Sequence, residues 1–182
     1  MSTDKKEKAI LIGKSGSGKD FLMRGLVQKG LKACLKMTTR PQRKNEVQGE
    51  TYNFTEKEQF TKLITEDKFI CHQEFEVTPE GKVPETWYYG ITKEEFENSQ
   101  VVIMTPGEFS HITPEQRKRC FVVYLDIERS VRESRLLGRE DKNDSIKRRM
   151  DADDLDFTKF TDYDLRITDP EFLAEDVYDL MD

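Results

Sequence analysis

Short apolar runs recur along this chain, and each one predicts an element. Ala9-Ile10-Leu11-Ile12, Val101 to Met104 and Cys120 to Leu125 are continuous apolar segments, the pattern of strands buried on both faces. Phe69 to Val77 reads as a further strand, Leu165 to Ile167 as a short last one, and Leu31 to Met37 alternates loosely enough for another. Helical spacing fills the intervals. Phe21 to about Gln28 is amphipathic, with Gly30 as a C-cap. Glu56 to Thr65 places Phe60, Leu63 and Ile64 on one face, and Lys93 to Asn98 is a short helix. Arg129, Arg132, Arg135 and Arg139 recur at helical spacing, with Leu136 and Leu137 toward the core. Pro170 to Met181 reads as a closing helix started by Asp169 and Pro170. Apolar strands alternating with helices predict an α/β fold, a parallel sheet with helices on both faces.

Composition narrows this picture. A length of 182 residues fits one domain with inserted lobes. Charged residues make up 36% of the chain against 35% hydrophobic, so the surface is densely charged. A net charge of −6 excludes general nucleic-acid binding, and any anion site must be a local basic cluster. Cys34, Cys71 and Cys120 are widely spaced and only two histidines accompany them, which argues for reduced thiols rather than a disulfide framework or a zinc site. Residues 1–8 are polar and charged, unlike a signal peptide, and no run approaches the length of a membrane span. The expectation is a soluble cytoplasmic protein with no membrane partner, monomeric or homodimeric.

The most informative stretch is Gly13-Lys14-Ser15-Gly16-Ser17-Gly18-Lys19-Asp20, between the first strand and the first helix. This is the P-loop pattern G-x-x-x-x-G-K-[ST] with one change, at its last position. Glycines let backbone N–H groups converge on a polyphosphate, the following helix points its positive end at the same anion, and Lys19 brings a full charge to the outer phosphates. A flexible Gly-Ser linker needs neither that lysine nor a buried strand before it. Asp20 replaces the usual hydroxyl with a carboxylate, a hard oxygen ligand suited to Mg²⁺ held with ATP.

Three further clusters carry charge or aromatic surface. In Thr38-Thr39-Arg40-Pro41-Gln42-Arg43 the proline keeps Arg40 extended, so two arginines lie close together as a fork for phosphate. Trp87-Tyr88-Tyr89-Gly90 is an aromatic cluster in which Trp87 suits the core and a tyrosine suits a base or phosphate. The third runs from Arg129 to Arg149, where the polar segment Glu140 to Ser145 is flanked by arginines, as in a lid over phosphates.

Together these pieces resemble the guanylate kinase family of P-loop nucleoside-monophosphate kinases. The matching residues are Gly13 to Lys19; Thr38-Thr39-Arg40-Pro41-x-Arg43, Glu46-Val47-x-Gly49 and Tyr52-Asn53-Phe54; Tyr88-Tyr89-Gly90; Arg135-Leu136-x-Gly138-Arg139; and Ser145-Ile146 leading to Arg149. The resemblance implies one domain of three parts: a P-loop core (1–37, 92–137, 152–182), a lobe for the acceptor nucleotide (38–91) and a lid (138–151). It implies that residues 13 to 20 and Arg135 bind ATP, that Lys19, Arg139 and Arg149 neutralise the transferring phosphoryl group, and that Arg40, Arg43, Tyr52 and Tyr89 bind the acceptor. It also implies ATP and a nucleoside monophosphate, GMP or dGMP by default, as partners.

Departures cluster where the family reads guanine. Cys71 stands where the family has a glutamate, Thr105 where it has an acid, Lys36 and Ile91 where it has serines, and Ile103 where it has an acid near the metal. Asp20 is then the acid expected to serve Mg²⁺. The segment 76–87, about nine residues longer than the family's equivalent, offers Glu74, Glu76, Glu80 and Glu85 in or beside it as replacement acceptors. Two other readings compete with a kinase. A non-catalytic module of the same fold would bind phosphopeptides or nucleotides through Arg40, Arg43 and Tyr52, but needs no Lys19. A nucleotide hydrolase would need no second arginine site.

Overall fold

The computed structural model describes residues 6–44, 46–77, 83–138 and 146–181, the side chain of Arg148 excepted. Two compact units emerge: one joins Met1–Ala33 to Gln100–Asp182, the other is Cys34–Ser99.

The first unit opens with β1 (Lys8–Gly13), which is buried along its whole length, and α1 (Lys19–Gln28). The chain then builds the second unit from β2 (Met37–Thr38), β3 (Asn53–Phe54), α2 (Lys57–Thr65), β4 (Phe69–Val77), β5 (Glu85–Thr92) and α3 (Lys93–Asn98). It returns to the first unit with β6 (Val101–Ile103), α4 (Pro106–Phe109), α5 (Pro114–Arg119), β7 (Cys120–Leu125), α6 (Arg129–Leu137), α7 (Ile146–Asp156), β8 (Leu165–Ile167) and α8 (Ala174–Asp179).

The expected parallel sheet is the centre of the first unit, in the order β6-β1-β7-β8 with every pairing parallel. β1 is central, and its neighbours β6 and β7 lie on opposite sides of it. The loop leaving its C-terminal end therefore opens at the switch point where open α/β sheets bind ligands. Ala9, Leu11, Leu22, Leu26, Val101, Val123 and Leu125 are fully buried in one cluster that joins this sheet to α1, and Val177 adds α8. Burying each such side chain contributes about 1.5–3 kcal/mol. α1 and α8 approach so closely at Gly25 that an added Cβ would lie 2.3 Å from that of Ala174.

The second unit is a different sheet, ordered β3-β2-β5-β4, in which β4 and β5 form a long antiparallel hairpin. Its core stacks Phe60 of α2 on Phe69 of β4 at 4.4 Å between ring centroids.

Three expectations need correction, and two helices had none. Leu31 to Met37 is not one strand: Ala33 makes an isolated bridge to Val101, and only Met37–Thr38 pairs as β2. Leu137 is 69% exposed, and Arg132 takes the core-facing position with Leu136. The closing helix begins at Ala174 rather than Pro170, because Leu173 is its extended N-cap. Helices α4 and α5 were not anticipated, although each carries a readable capping box with a proline inside it, Thr105-Pro106-x-Glu108 and Thr113-Pro114-x-Gln116.

Candidate nucleotide sites

In the first unit, the loop between β1 and α1 is shaped by three glycines for which no other residue fits. A Cβ at Gly13 would meet Ser17 Oγ at 2.6 Å and the Leu125 carbonyl at 2.9 Å. Gly16, at φ +77°, has the Arg132 carbonyl 2.6 Å from where its Cβ would be, and Gly18 adopts φ +101° as the N-cap of α1. Gly18 has no side chain to cap the helix, so the first-turn N–H groups of α1 are left for an anion, as a phosphate cradle requires. Lys19 Nζ donates to the carbonyls of Gly13 at 2.5 Å and Lys14 at 3.0 Å, which folds the ammonium over the loop. Ser17 is fully buried beneath it, and its hydroxyl has no partner among the described residues.

Two arginines of α6 brace the loop from behind. Arg132, only 2% exposed, donates from Nε to the Ile127 carbonyl at 2.9 Å and from a terminal nitrogen to the Ser15 carbonyl at 3.4 Å. Arg135 donates to the carbonyls of Gly16 and Ser17, both at 3.3 Å, and to that of Pro170 at 2.9 Å. A cleft of about 410 Å³ opens beside the loop, lined by Gly16, Gly18, Asp20, Phe21, Arg24, Arg135 and the segment Pro170 to Leu173. Phe21 and Phe172 meet edge to face in its wall, 5.9 Å between centroids. Asp20 is exposed on this cleft in the first turn of α1. Helix α7 also reaches the loop. Asp153 accepts a hydrogen bond from the Ser15 N–H at 2.6 Å, and Asp154 pairs with Lys14 at 2.6 Å. The Lys14 hydrogen bond holds the Asp154 carboxyl below the usual carboxylate range, with Arg129 adding to the effect.

In the second unit, the paired threonines explain how Arg40 is placed. Thr38 Oγ1 donates to the Tyr88 carbonyl at 2.9 Å, Thr39 Oγ1 accepts from the Tyr88 N–H at 2.9 Å, and the Arg40 N–H returns to Thr38 Oγ1 at 3.2 Å. Arg40 is 5% exposed and makes a two-pronged contact with Glu46, NH1 to Oε2 at 2.9 Å and NH2 to Oε1 at 2.6 Å. Its guanidinium carbon stands 5.4 Å from the centre of the Tyr52 ring, and Tyr52 meets Tyr89 at 6.3 Å. Glu46 also accepts the Arg43 N–H at 2.8 Å. The hydrogen bonds that Arg40 donates to the Glu46 carboxylate raise the guanidinium above its ordinary value.

The sequence-expected residues thus fall into groups. Gly13 to Asp20 and Arg135 come together in the first unit, and Arg40, Arg43, Tyr52 and Tyr89 in the second. Arg149 lies half-buried in the first turn of α7. Arg139 and the rest of 139–145, half of the expected lid, lie outside the described residues, as does Glu80. Cys71 is 3% exposed on β4 and pairs in register with the fully buried Ile91. Thr105 belongs to the first unit, where its hydroxyl caps α4 by accepting the Glu108 N–H at 3.2 Å. Within the segment 76–87, β4 runs on to Val77 and β5 begins at Glu85, so its described ends extend a hairpin. Glu74 and Glu76 alternate with Gln73 and Phe75 along β4 and face away from Tyr89, and Glu85 accepts from the Trp87 indole at 3.0 Å. Asp153, Asp154 and Glu46 had no assigned role in the sequence reading. Only Glu46 had a visible signal, its place between two phosphate-fork residues and Gly49.

Comparison with known proteins places these sites in a context. The family model described as Guanylate kinase matches residues 5–180. A guanylate kinase of Nostoc sp. is 29% identical over 177 residues, covering 91% of this chain and 83% of its own. One of Rickettsia felis is 28% identical over 172 residues, covering 90% of this chain and 85% of its own. Among solved structures, the crystal structure of guanylate kinase from Anaplasma phagocytophilum superimposes with a TM-score of 0.64 at 15% identity, over 97% of this chain and 85% of that one.

Proposed function

The chain belongs to the guanylate kinase family, a family of phosphotransferases, and from that premise we propose that it transfers the γ-phosphoryl group of ATP to GMP or dGMP, giving ADP and GDP or dGDP. The observation that carries this reading is the Gly13–Lys19 loop. Its three glycines have no room for a side chain or sit at positive φ, and it opens at the switch point of a parallel sheet.

The triphosphate lies on the loop N–H groups and the first turn of α1, with the Lys19 ammonium moving from the Gly13 and Lys14 carbonyls to the outer phosphates. The nucleoside end of ATP occupies the cleft between Phe21, Arg24 and the Pro170 to Leu173 segment. The second unit is the acceptor lobe. There the fork of Arg40 and Arg43, with the hydroxyls of Tyr52 and Tyr89, holds the acceptor phosphate. Arg149, and Arg139 beyond the described residues, neutralise the charge that builds up on the moving phosphoryl group. Phosphoryl transfer asks for alignment and charge neutralisation more than for covalent help, and these residue types supply both.

Mg²⁺ fits the donor chemistry at Asp20. Its carboxylate is a hard oxygen, exposed on the cleft beside the loop, and no cluster of three metal-ligating side chains occurs among the described residues. With Asp20 as a protein ligand, substrate phosphates and water would complete the coordination of such an ion. Asp20 would hold the ion, which would supply positive charge against the negative charge of the triphosphate.

Binding measurements on separate variants test the two-site reading. Lys19→Ala should lose most ATP binding while keeping that of GMP, and Arg43→Ala should do the reverse. GMP binding that ignores Arg43 would remove the acceptor site from the account. ATP binding that ignores Lys19 would remove the donor site. No helix among the described residues is long and apolar enough to cross a membrane.

A further inference from the structure

Helix α7 places anions on the phosphate loop itself. The Asp153 carboxylate receives the Ser15 N–H at 2.6 Å, and the adjacent Asp154 holds the Lys14 ammonium at 2.6 Å. Ser15 lies inside the loop, between Gly13 and Gly18, so its N–H belongs to the set of donors that a glycine-rich loop turns toward phosphate. A carboxylate oxygen on such a donor is chemically a tethered stand-in for a phosphate oxygen.

The rest of the geometry holds this stand-in in place. Asp154 also pairs with Arg129, and it lies 3.7 Å from the buried Arg132, which donates to the Ser15 carbonyl on the other side of the same residue. Arg129 reaches one turn back along α7 to Asp151 at 2.8 Å, and Lys147 meets the same carboxylate at 2.6 Å. α7 is therefore fastened to α6 by Asp151 and Asp154, and Asp153 is presented to the loop from that fixed base. Among the described residues the Asp153 side chain makes its one hydrogen bond to Ser15.

We infer that α7 is a phosphate-competitive latch, in which Asp153 occupies the Ser15 N–H, and Asp154 the Lys14 ammonium, until the polyphosphate of ATP displaces them. One N–H cannot serve both anions, and a carboxylate left beside a triphosphate repels it. ATP therefore binds only the unlatched fraction of molecules, and its apparent affinity is reduced by that fraction. The inference rests on the reading of the Gly13–Lys19 loop as the ATP site.

Asp153 is the cleaner position to test, because loss of Asp154 would also strip a counter-charge from buried Arg132. Calorimetric titrations of the full chain with Mg·ATP, and separately with inorganic tripolyphosphate, compare wild type with Asp153→Ala and Asp153→Asn. The latch predicts that Asp153→Ala melts at a lower temperature without ligand and yet binds both probes about tenfold more tightly, as expected when a charge-assisted competitor is removed. Asp153→Asn, which keeps an acceptor and loses the charge, falls between the two. Should Asp153→Ala fail to fold, the sign of the change in Asp153→Asn decides alone. A brace for the loop would lower melting temperature and affinity together, so unchanged or weaker binding in a folded variant overturns the latch. If wild type binds neither probe while Asp153→Ala binds both, the latch stands in its strongest form. If Mg·ATP binds to none of the three proteins, the ATP reading itself has failed and the latch falls with it.

Discussion

Glu46 takes both arms of the Arg40 fork, NH1 at 2.9 Å and NH2 at 2.6 Å, and both side chains are largely withdrawn from water, at 5% and 13% exposure. A phosphate-binding arginine is thus oriented by a carboxylate before any ligand arrives. Removing one partner of such a pair leaves the other buried without a counter-charge, which costs about 3–5 kcal/mol. Glu46→Gln should therefore lower the urea midpoint clearly and weaken GMP binding, while ATP binding stays as it was. Arg40 comes first among the groups that hold the Glu46 carboxyl below its ordinary value. A depressed folded-state value means that the contribution is complete above the usual glutamate range and is lost as pH falls through the folded value. The midpoint difference between wild type and Glu46→Gln should be constant near neutrality and shrink in acid. A difference that grows in acid would mean that the pair does not stabilise the fold.

Gly16 and Gly49 share φ +77° but not their surroundings. At Gly16 a Cβ would meet the Arg132 carbonyl at 2.6 Å, whereas nothing lies within 4 Å of one at Gly49. Gly49→Ala should cost only backbone strain, about 1 kcal/mol. Gly16→Ala adds a backbone collision and should cost more, with loss of ATP binding. Equal melting temperatures in the two variants would show that the loop yields and that the fit at Gly16 is not strict.

Ser17 contributes a buried hydroxyl with no partner among the described residues. Deleting an unpaired buried hydroxyl removes a desolvation cost rather than a bond. Ser17→Ala should be neutral or slightly stabilising, by less than about 1 kcal/mol, with transfer unaffected. Stability from urea titration and ADP release together check this, and a loss of turnover alone would show that the hydroxyl serves the bound nucleotide.

All three thiols are buried, and burial pushes that of Cys120 up to about 11. The thiolate is the reactive form, so at pH 8 the folded protein should resist iodoacetamide at Cys120, and urea should expose the site. Rapid alkylation of Cys120 in the native state would place that residue at the surface, against the packing of β7.

The sheet and the glycine-rich loop were legible because both are written locally. Ala9 to Ile12 and Cys120 to Leu125 are continuous apolar runs, and the loop needs glycine and lysine at fixed offsets. What sequence hid is what depends on two distant segments meeting. Arg132 looks like one more arginine on a charged helix, yet it is 2% exposed because the Ile127 and Ser15 carbonyls and Asp154 surround it. Asp153 and Asp154 belong to no motif in the sequence, and they gain a role only where α7 lies against the loop. Leu137 shows the reverse: helical spacing cannot tell which of two adjacent leucines faces the core when a buried arginine claims part of that face. At Thr105 a proline-containing capping box was present in the sequence, and the capping role is the one the structure displays.

The measurement that bears most directly on the central claim is coupled ADP release from ATP and Mg²⁺ with GMP, dGMP, AMP, UMP, CMP and dTMP offered in turn. The account predicts turnover that depends on the acceptor, is fastest with GMP or dGMP, and is abolished in Lys19→Ala. ADP release that proceeds equally without any acceptor, or no release with any of the six although ATP binds, would contradict it.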